Sequence, residues 1–192
     1  MSPQPLRPLT DPKTLVCNAF NAAKGKRKLL PADRSKEMVF CLADELRKHI
    51  NTDGSIRVLF RQDRTNKKAF GVNELLYDIV AFSEGLTNSS RRGQELHYIE
   101  KPLWQIESEF HRNDRKVVND FNKLVLGSAP YKLFVASRRE NKQSFLEMLA
   151  PIAKACSGEV YLAIVVHPRF WNKDGAEPEV YRFLPNGWEE LG

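Results

Sequence analysis

Cysteine is scarce in this chain: Cys17, Cys41 and Cys156 are the three present among 192 residues. They are odd in number, widely spaced and form no CxxC pair, which argues against a disulfide framework or a structural zinc site. Buried, inert thiols are the expectation. Long hydrophobic runs are missing as well; none approaches the roughly 20 residues needed to span a bilayer. The opening MSPQPLRPLT has no apolar stretch of the secretory kind, so a cytoplasmic protein with no membrane partner is expected. Glycine-rich phosphate loops are absent, because GVNELLY and LGSAPY fit neither GxGxxG nor GxxxxGK[ST]. His49, His97, His111 and His167 include no pair at helical zinc spacing, and no serine sits in a GxSxG setting. There is no internal repeat and no low-complexity segment.

What is present is an ordinary globular composition, 42% hydrophobic and 28% charged. The length suits one domain with a substantial core. Charge is unevenly spread. Residues 1–70 hold 15 Lys or Arg against 7 Asp or Glu, and residues 71–192 hold 15 against 17, so +8 and −2 make up the net +6. A basic N-terminal third beside an acidic remainder suggests an anionic partner, nucleic acid first, although a solvated basic surface has the same composition.

Periodicity divides the single domain, 1–192, into a loose proline-rich arm (1–13), N-terminal helices (14–55) and an α/β region (56–192). Apolar residues at helical spacing predict a helix over 14–30, with Gly25 marking an end or turn, and a second over 31–50, where Met38, Leu42, Leu46 and Ile50 share one face. Strands are predicted over 56–62, 73–84, 96–110, 131–137 and 159–168, and again in EVYRFL. Residues 63–71 and 85–95 read as polar loops. Helices are predicted over 115–129 and over 141–156, which Pro151 would kink. The order strand, strand, strand, helix, strand, helix, strand argues an α/β domain with a central mixed sheet flanked by helices.

Within this frame WQIESEF (104–110) is unusual. Trp104, Ile106 and Phe110 alternate with Gln105, Glu107 and Glu109, so two carboxylates share one face of a strand that glutamate disfavours. Asp78 likewise interrupts the apolar run LLYDIVAF, on the face of Leu76 and Val80, with Glu74 one step further back than Leu76. If the two strands pair antiparallel, Asp78, Glu107 and Glu109 converge, and a hard divalent cation such as Mg²⁺ would relieve their repulsion. The same alternation also fits an edge strand whose glutamates face water beside Lys101, Arg112 or Arg115.

An apolar strand with one Asp, a hairpin, a strand ending in ExE, the helix DFNKL and the strand YKLFV together resemble the PD-(D/E)XK nuclease superfamily. That superfamily includes restriction endonucleases and Holliday-junction resolvases. The resemblance covers about residues 73–137, with a looser helical lead from 31–50. It implies a restriction-endonuclease-like core in which Asp78 matches the motif aspartate and Glu107 the acidic residue. Glu109 departs from the pattern, standing where the family usually has lysine. The resemblance further implies Mg²⁺, with Mn²⁺ as substitute, held by Asp78, Glu107 and Glu109, and a helix glutamate, Glu45 or alternatively Glu37. Lys123 is the best candidate to replace the missing lysine, since helical spacing sets it beside Asn119 and Asp120 and away from Phe121 and Leu124.

Three basic stretches could hold phosphates: KGKRK (24–28), RQDRTNKK (61–68), with Arg61, Arg64, Lys67 and Lys68, and SSRRGQ (89–94), with Arg91 and Arg92. Arg112 follows the acidic strand, and His111 extends its carboxylate face. The expected function is Mg²⁺-dependent endonucleolytic hydrolysis of DNA, DNA ranking above RNA. A homodimer is expected, because two strands call for two sites. The alternatives are a non-catalytic nucleic-acid-binding module of the same fold and a regulatory or interaction subunit.

Overall fold

A computed structural model describes residues 11–26, 30–50, 55–72, 74–91, 93–171 and 177–192, apart from the side chains of residues 31, 32, 65 and 68. Most of the arm predicted over 1–13 therefore lies outside the described residues. Seven strands form one mixed sheet in sequential order: β1 (Ile56–Phe60), β2 (Ile79–Asn88), β3 (Glu95–Glu109), β4 (Tyr131–Ser137), β5 (Glu159–Val165), β6 (Glu179–Leu184) and β7 (Gly187–Glu190). β3, β4 and β5 run parallel to their neighbours within that trio, and the other pairings are antiparallel.

The helices cover both faces. α1 (Pro12–Gly25) and α2 (Pro31–Ile50) pack on the face carrying Ile79, Ala81, Trp104, Ile106, Leu133 and Val135. The crossover helices α4 (Asp114–Val125) and α5 (Lys142–Ala155) pack on the opposite face, against Val80, Phe82, Phe134 and Leu162. Strand parity dictates this split, because successive side chains point to opposite faces and each face needs its own cover. Asn113 and Asn141 start the crossover helices by accepting first-turn backbone N–H groups. Pro151 stands inside α5, which continues to Ala155.

Three expectations need correction. β2 begins at Ile79, not residue 73, and Leu75 and Leu76 are exposed. β1 ends at Phe60, opposite Ile79, and turns away through the Asp63 N–H to Phe60 C=O bond, so residues 74–78 have no neighbour on that side to extend the strand. The segment read as a polar loop at 63–71 contains a short helix, α3 (Thr65–Phe70). Buried Asp63 organises it, pairing with Arg47 and accepting from Asn66 Nδ2, and Gly71 ends it at φ +73°. The loop expected over 85–95 shrinks, because Leu86 pairs with His97 and Thr87 with Leu96, continuing the β2–β3 ladder to Asn88 and Glu95. Register shifts in that ladder flank Phe82 and Ser83, which pair with Pro102 and Lys101, and Pro102 cannot donate to the ladder.

Below β4 and β5, the wholly buried ammonium of Lys132 donates to the carbonyls of Ala129 and Ser157 and to Ser157 Oγ, tying two connections together. Gly158 closes the same corner at φ +77°, where an added Cβ would lie 2.5 Å from the Pro130 carbonyl oxygen. Gly158→Ala combines left-handed strain with a backbone clash, so it is expected to lower unfolding free energy by about 2 kcal/mol. Urea titration measures it, and a change below about 0.5 kcal/mol would show that the corner relaxes freely.

Candidate active site

The antiparallel register of β2 and β3 pairs Ile79 with Ile106, so the next step outward sets Asp78 opposite Glu107. Contact is direct: the Asp78 N–H donates to Glu107 Oε1 at 3.2 Å. The Asp78 carboxylate is fixed in turn by Ser108, whose N–H and Oγ–H donate to Asp78 Oδ2 at 2.9 and 2.6 Å. From the following helix, α4, Lys123 Nζ donates to Glu107 Oε2 at 3.1 Å and lies 2.9 Å from Asp120 Oδ1. The Tyr77 hydroxyl donates to the Lys123 carbonyl at 3.1 Å, linking the helix to the segment that carries Asp78. Asp78, Glu107 and Lys123 are thus brought together, from three separate elements.

Electrostatics put this group under strain. Glu107 is 1% exposed. Burial raises its pKa first and the Asp78 charge adds to this; Lys123 opposes both, and the result is a carboxyl pushed up to about 8. Burial also raises Asp78, against the lowering effect of the Ser108 hydrogen bonds. Glu74, from the irregular segment before β2, is raised by burial and then by Asp78. Burial pulls Lys123 down, but hydrogen bonds to Asp120 and Glu107 outweigh it and hold the ammonium protonated above its usual range.

Asp78 and Ser108 open onto a cleft of about 450 Å³, lined also by Lys36, Arg61, Glu74, Glu109, His111 and His167. Glu109 reaches the cleft but does not join the pair. β3 ends at this residue, and Glu109 Oε1 folds back to accept the His111 N–H at 2.6 Å. No set of three or more ligating side chains is assembled among the described residues. The pair suits a hard cation by its donors: each carboxylate oxygen has two acceptor sites, Asp78 Oδ2 uses both, each Glu107 oxygen uses one, and Asp78 Oδ1 accepts no bond among the described residues, while Mg²⁺ takes one or two carboxylates and keeps several waters. Asp78 and Glu107 are the residues that could hold it.

Other candidates fall elsewhere. Glu45 contacts Lys48, His49 and Asn18, and Glu37 contacts Lys26 and Cys41, so both face their own helical layer. Lys101 is exposed further along β3, opposite Ser83. Arg61 lines the cleft, 4.0 Å from Glu74. Arg64 and Lys67 are exposed at the start and on the outside of α3, and the Lys68 side chain lies outside the described residues. Arg91 is exposed at the tip of the β2–β3 arm, separated from Asp78 by all ten residues of β2 and so by roughly 30 Å; Arg92 lies outside the described residues. Of the basic run 24–28, residues 27 and 28 also lie outside them. Arg112 is exposed and lines a separate cavity, which shares His167 with the cleft.

Ser108 and Asp120 have no role in the sequence reading, although both sit inside or beside the motifs. Ser108 is the middle residue of ESE and has the parity of the opposite face; it reaches Asp78 only because Asp78 lies beyond the last ladder pair. No protein-family model matches the chain, and no curated protein matches it.

Proposed function

We propose that this chain is a Mg²⁺-dependent nuclease that hydrolyses phosphodiester bonds in DNA, built on a restriction-endonuclease-like core. One observation carries the reading: a buried glutamate on β3 is in contact both with an aspartate at the start of β2 and with a lysine from the next helix. The strand–strand–helix origin of these groups matches the superfamily's arrangement, with the lysine supplied by α4 in place of residue 109.

Asp78 and Glu107 would hold the cation, which when bound supplies Lewis acidity at the scissile phosphate and an acidified water. Ser108 keeps the Asp78 carboxylate oriented. Lys123, protonated between Glu107 and Asp120, carries fixed positive charge where negative charge develops on the phosphoryl oxygens. His111 and His167 both accept a backbone N–H at Nδ1, from Asn113 and Arg169, which leaves Nε2 of each ring as the donor toward phosphate. Lys36 and Arg61 add positive charge on the opposite wall of the cleft. Free thiols at Cys17, Cys41 and Cys156 suit a reducing cytoplasm. A homodimer would offer two clefts to the two strands of a duplex.

The folded-back Glu109 favours a second reading, a DNA-binding module without catalysis. Supercoiled plasmid incubated with the purified chain separates the two. Nicking or linearisation with Mg²⁺ or Mn²⁺, absent in EDTA and absent in Asp78→Asn, is the expected result. Gel retardation without cleavage in any metal leaves the binding module. No retardation at low salt removes nucleic acid altogether and leaves a regulatory or interaction subunit.

A further inference from the structure

The C-terminal ends of the parallel strands β3, β4 and β5 meet at one place, and each leads into basic residues: Arg112, then Arg138 and Arg139, then Arg169. Crevices beyond the carboxyl ends of parallel strands are where open α/β sheets take ligands. Here two cavities, of about 340 and 240 Å³, share Arg112, Arg139 and Glu140. The smaller one also reaches His167, which lines the cleft of Asp78, so the basic cavities and the acidic cleft are contiguous.

Arg139 is the informative residue. Its side chain is 11% exposed and its guanidinium lies over the Phe145 ring, 5.1 Å from the centroid. Nη2 donates to the His111 carbonyl at 3.1 Å, with Asp114 Oδ1 at 3.7 Å. Nε and Nη1 are buried and have no acceptor among the described residues. A buried cationic donor with no acceptor is costly, and in folded proteins such a group marks an ion, a water or a ligand. Neither Arg112 nor Arg169 is ion-paired with a carboxylate among the described residues. The surrounding field is positive: burial depresses the pKa of His167, and Arg112, Arg169 and Arg139 depress it further. Two carboxylates also border the cavities, Asp114 and Glu140, both exposed.

We infer that these cavities bind the terminal phosphate monoester of a nucleic-acid strand, whose chain then runs past His167 and His111 into the cleft onto which Asp78 opens. Guanidinium is suited to phosphate by its planar array of donors. A monoester offers three free oxygens and close to two charges, against two and one for an internal phosphodiester, so it answers more of these donors. The strand rests on the nuclease reading; the phosphate site does not.

The test is fluorescence anisotropy in EDTA, where no turnover occurs, with short DNA of one sequence carrying a 5′-phosphate, a 3′-phosphate or only hydroxyl ends. One phosphorylated form is expected to bind at least about tenfold tighter than the hydroxyl form. Arg139→Gln and the exposed Arg112→Gln are each expected to bring that ratio to about twofold or less. The second variant keeps the test valid if the first fails to fold. Equal binding of all three DNAs overturns the inference, as does inorganic phosphate binding as tightly as the phosphorylated strand. Plasmid cleavage without any end preference overturns it and leaves the nuclease reading standing; an end preference without cleavage does the reverse.

Discussion

Lys123→Ala is expected to lower Mg²⁺-dependent cleavage by about 10²–10³-fold while leaving DNA retardation nearly unchanged. The ammonium is held 3.1 Å from Glu107 Oε2 and 2.9 Å from Asp120 Oδ1, so it is a positioned charge and not a solvated surface lysine. Its side chain is still 35% exposed, so the charge is not sealed inside the protein. Asp120→Asn is expected to cost less, on the order of tenfold, because Glu107 alone still orients the amine. Initial rates on a fluorescent duplex, read beside anisotropy, separate loss of chemistry from loss of binding. A Lys123→Ala rate within about threefold of the parent would reduce Lys123 to a helix-to-strand tether.

The second large effect concerns stability and pH without metal. Glu107 has a folded-state pKa near 8 against an ordinary value of 4.5. A carboxyl whose pKa is raised by folding favours the protonated folded form. Its stabilising contribution is therefore complete below pH about 4.5 and is lost as pH rises through about 8. In EDTA the parent is expected to lose on the order of 3 kcal/mol between these limits through this group alone. Glu107→Gln keeps an acceptor for the Asp78 N–H and removes the titration, so it should match the parent near pH 5 and exceed it above pH 8. Mg²⁺ should then stabilise the parent at pH 8 and leave the variant unmoved. Urea titrations across this range give both quantities. An equally steep decline in Glu107→Gln would assign the pH dependence to other groups.

How much of this site is visible in the chain depends on the length scale of the interaction. The period-2 pattern of WQIESEF sets Gln105 and Glu107 on one face and Trp104 and Ile106 on the other, and the burial of all four follows it. Lys123 was identifiable because Phe121 and Leu124 claim the buried side of α4. Glu45 stands away from the cleft because α2 borders it through Ser35, Lys36 and Val39, near its start, while Glu45 lies toward its end beside Lys48, His49 and Asn18. Arg91 lies in the loop joining β2 to β3, yet the ladder between these strands carries that loop to the end away from Asp78. Glu109 has the right parity, yet β3 ends there, and a carboxylate at a frayed end is captured by the nearest free N–H, that of His111.

What the sequence by itself determined is local: the helical and strand periods, the parity that sets Gln105 and Glu107 on one face, and the interruption of apolar runs by Asp78 and Glu107. Those depend on neighbours within a turn or a pleat. Tertiary structure alone decided that β1 releases the chain before Asp78, that Ser108 turns back to hold it, that α4 delivers Lys123 to a buried glutamate, and that three arginine-bearing loops close around His167. Each of these depends on which strands pair and in what register, a choice made by the burial of both sheet faces at once, and no stretch of a few residues contains it.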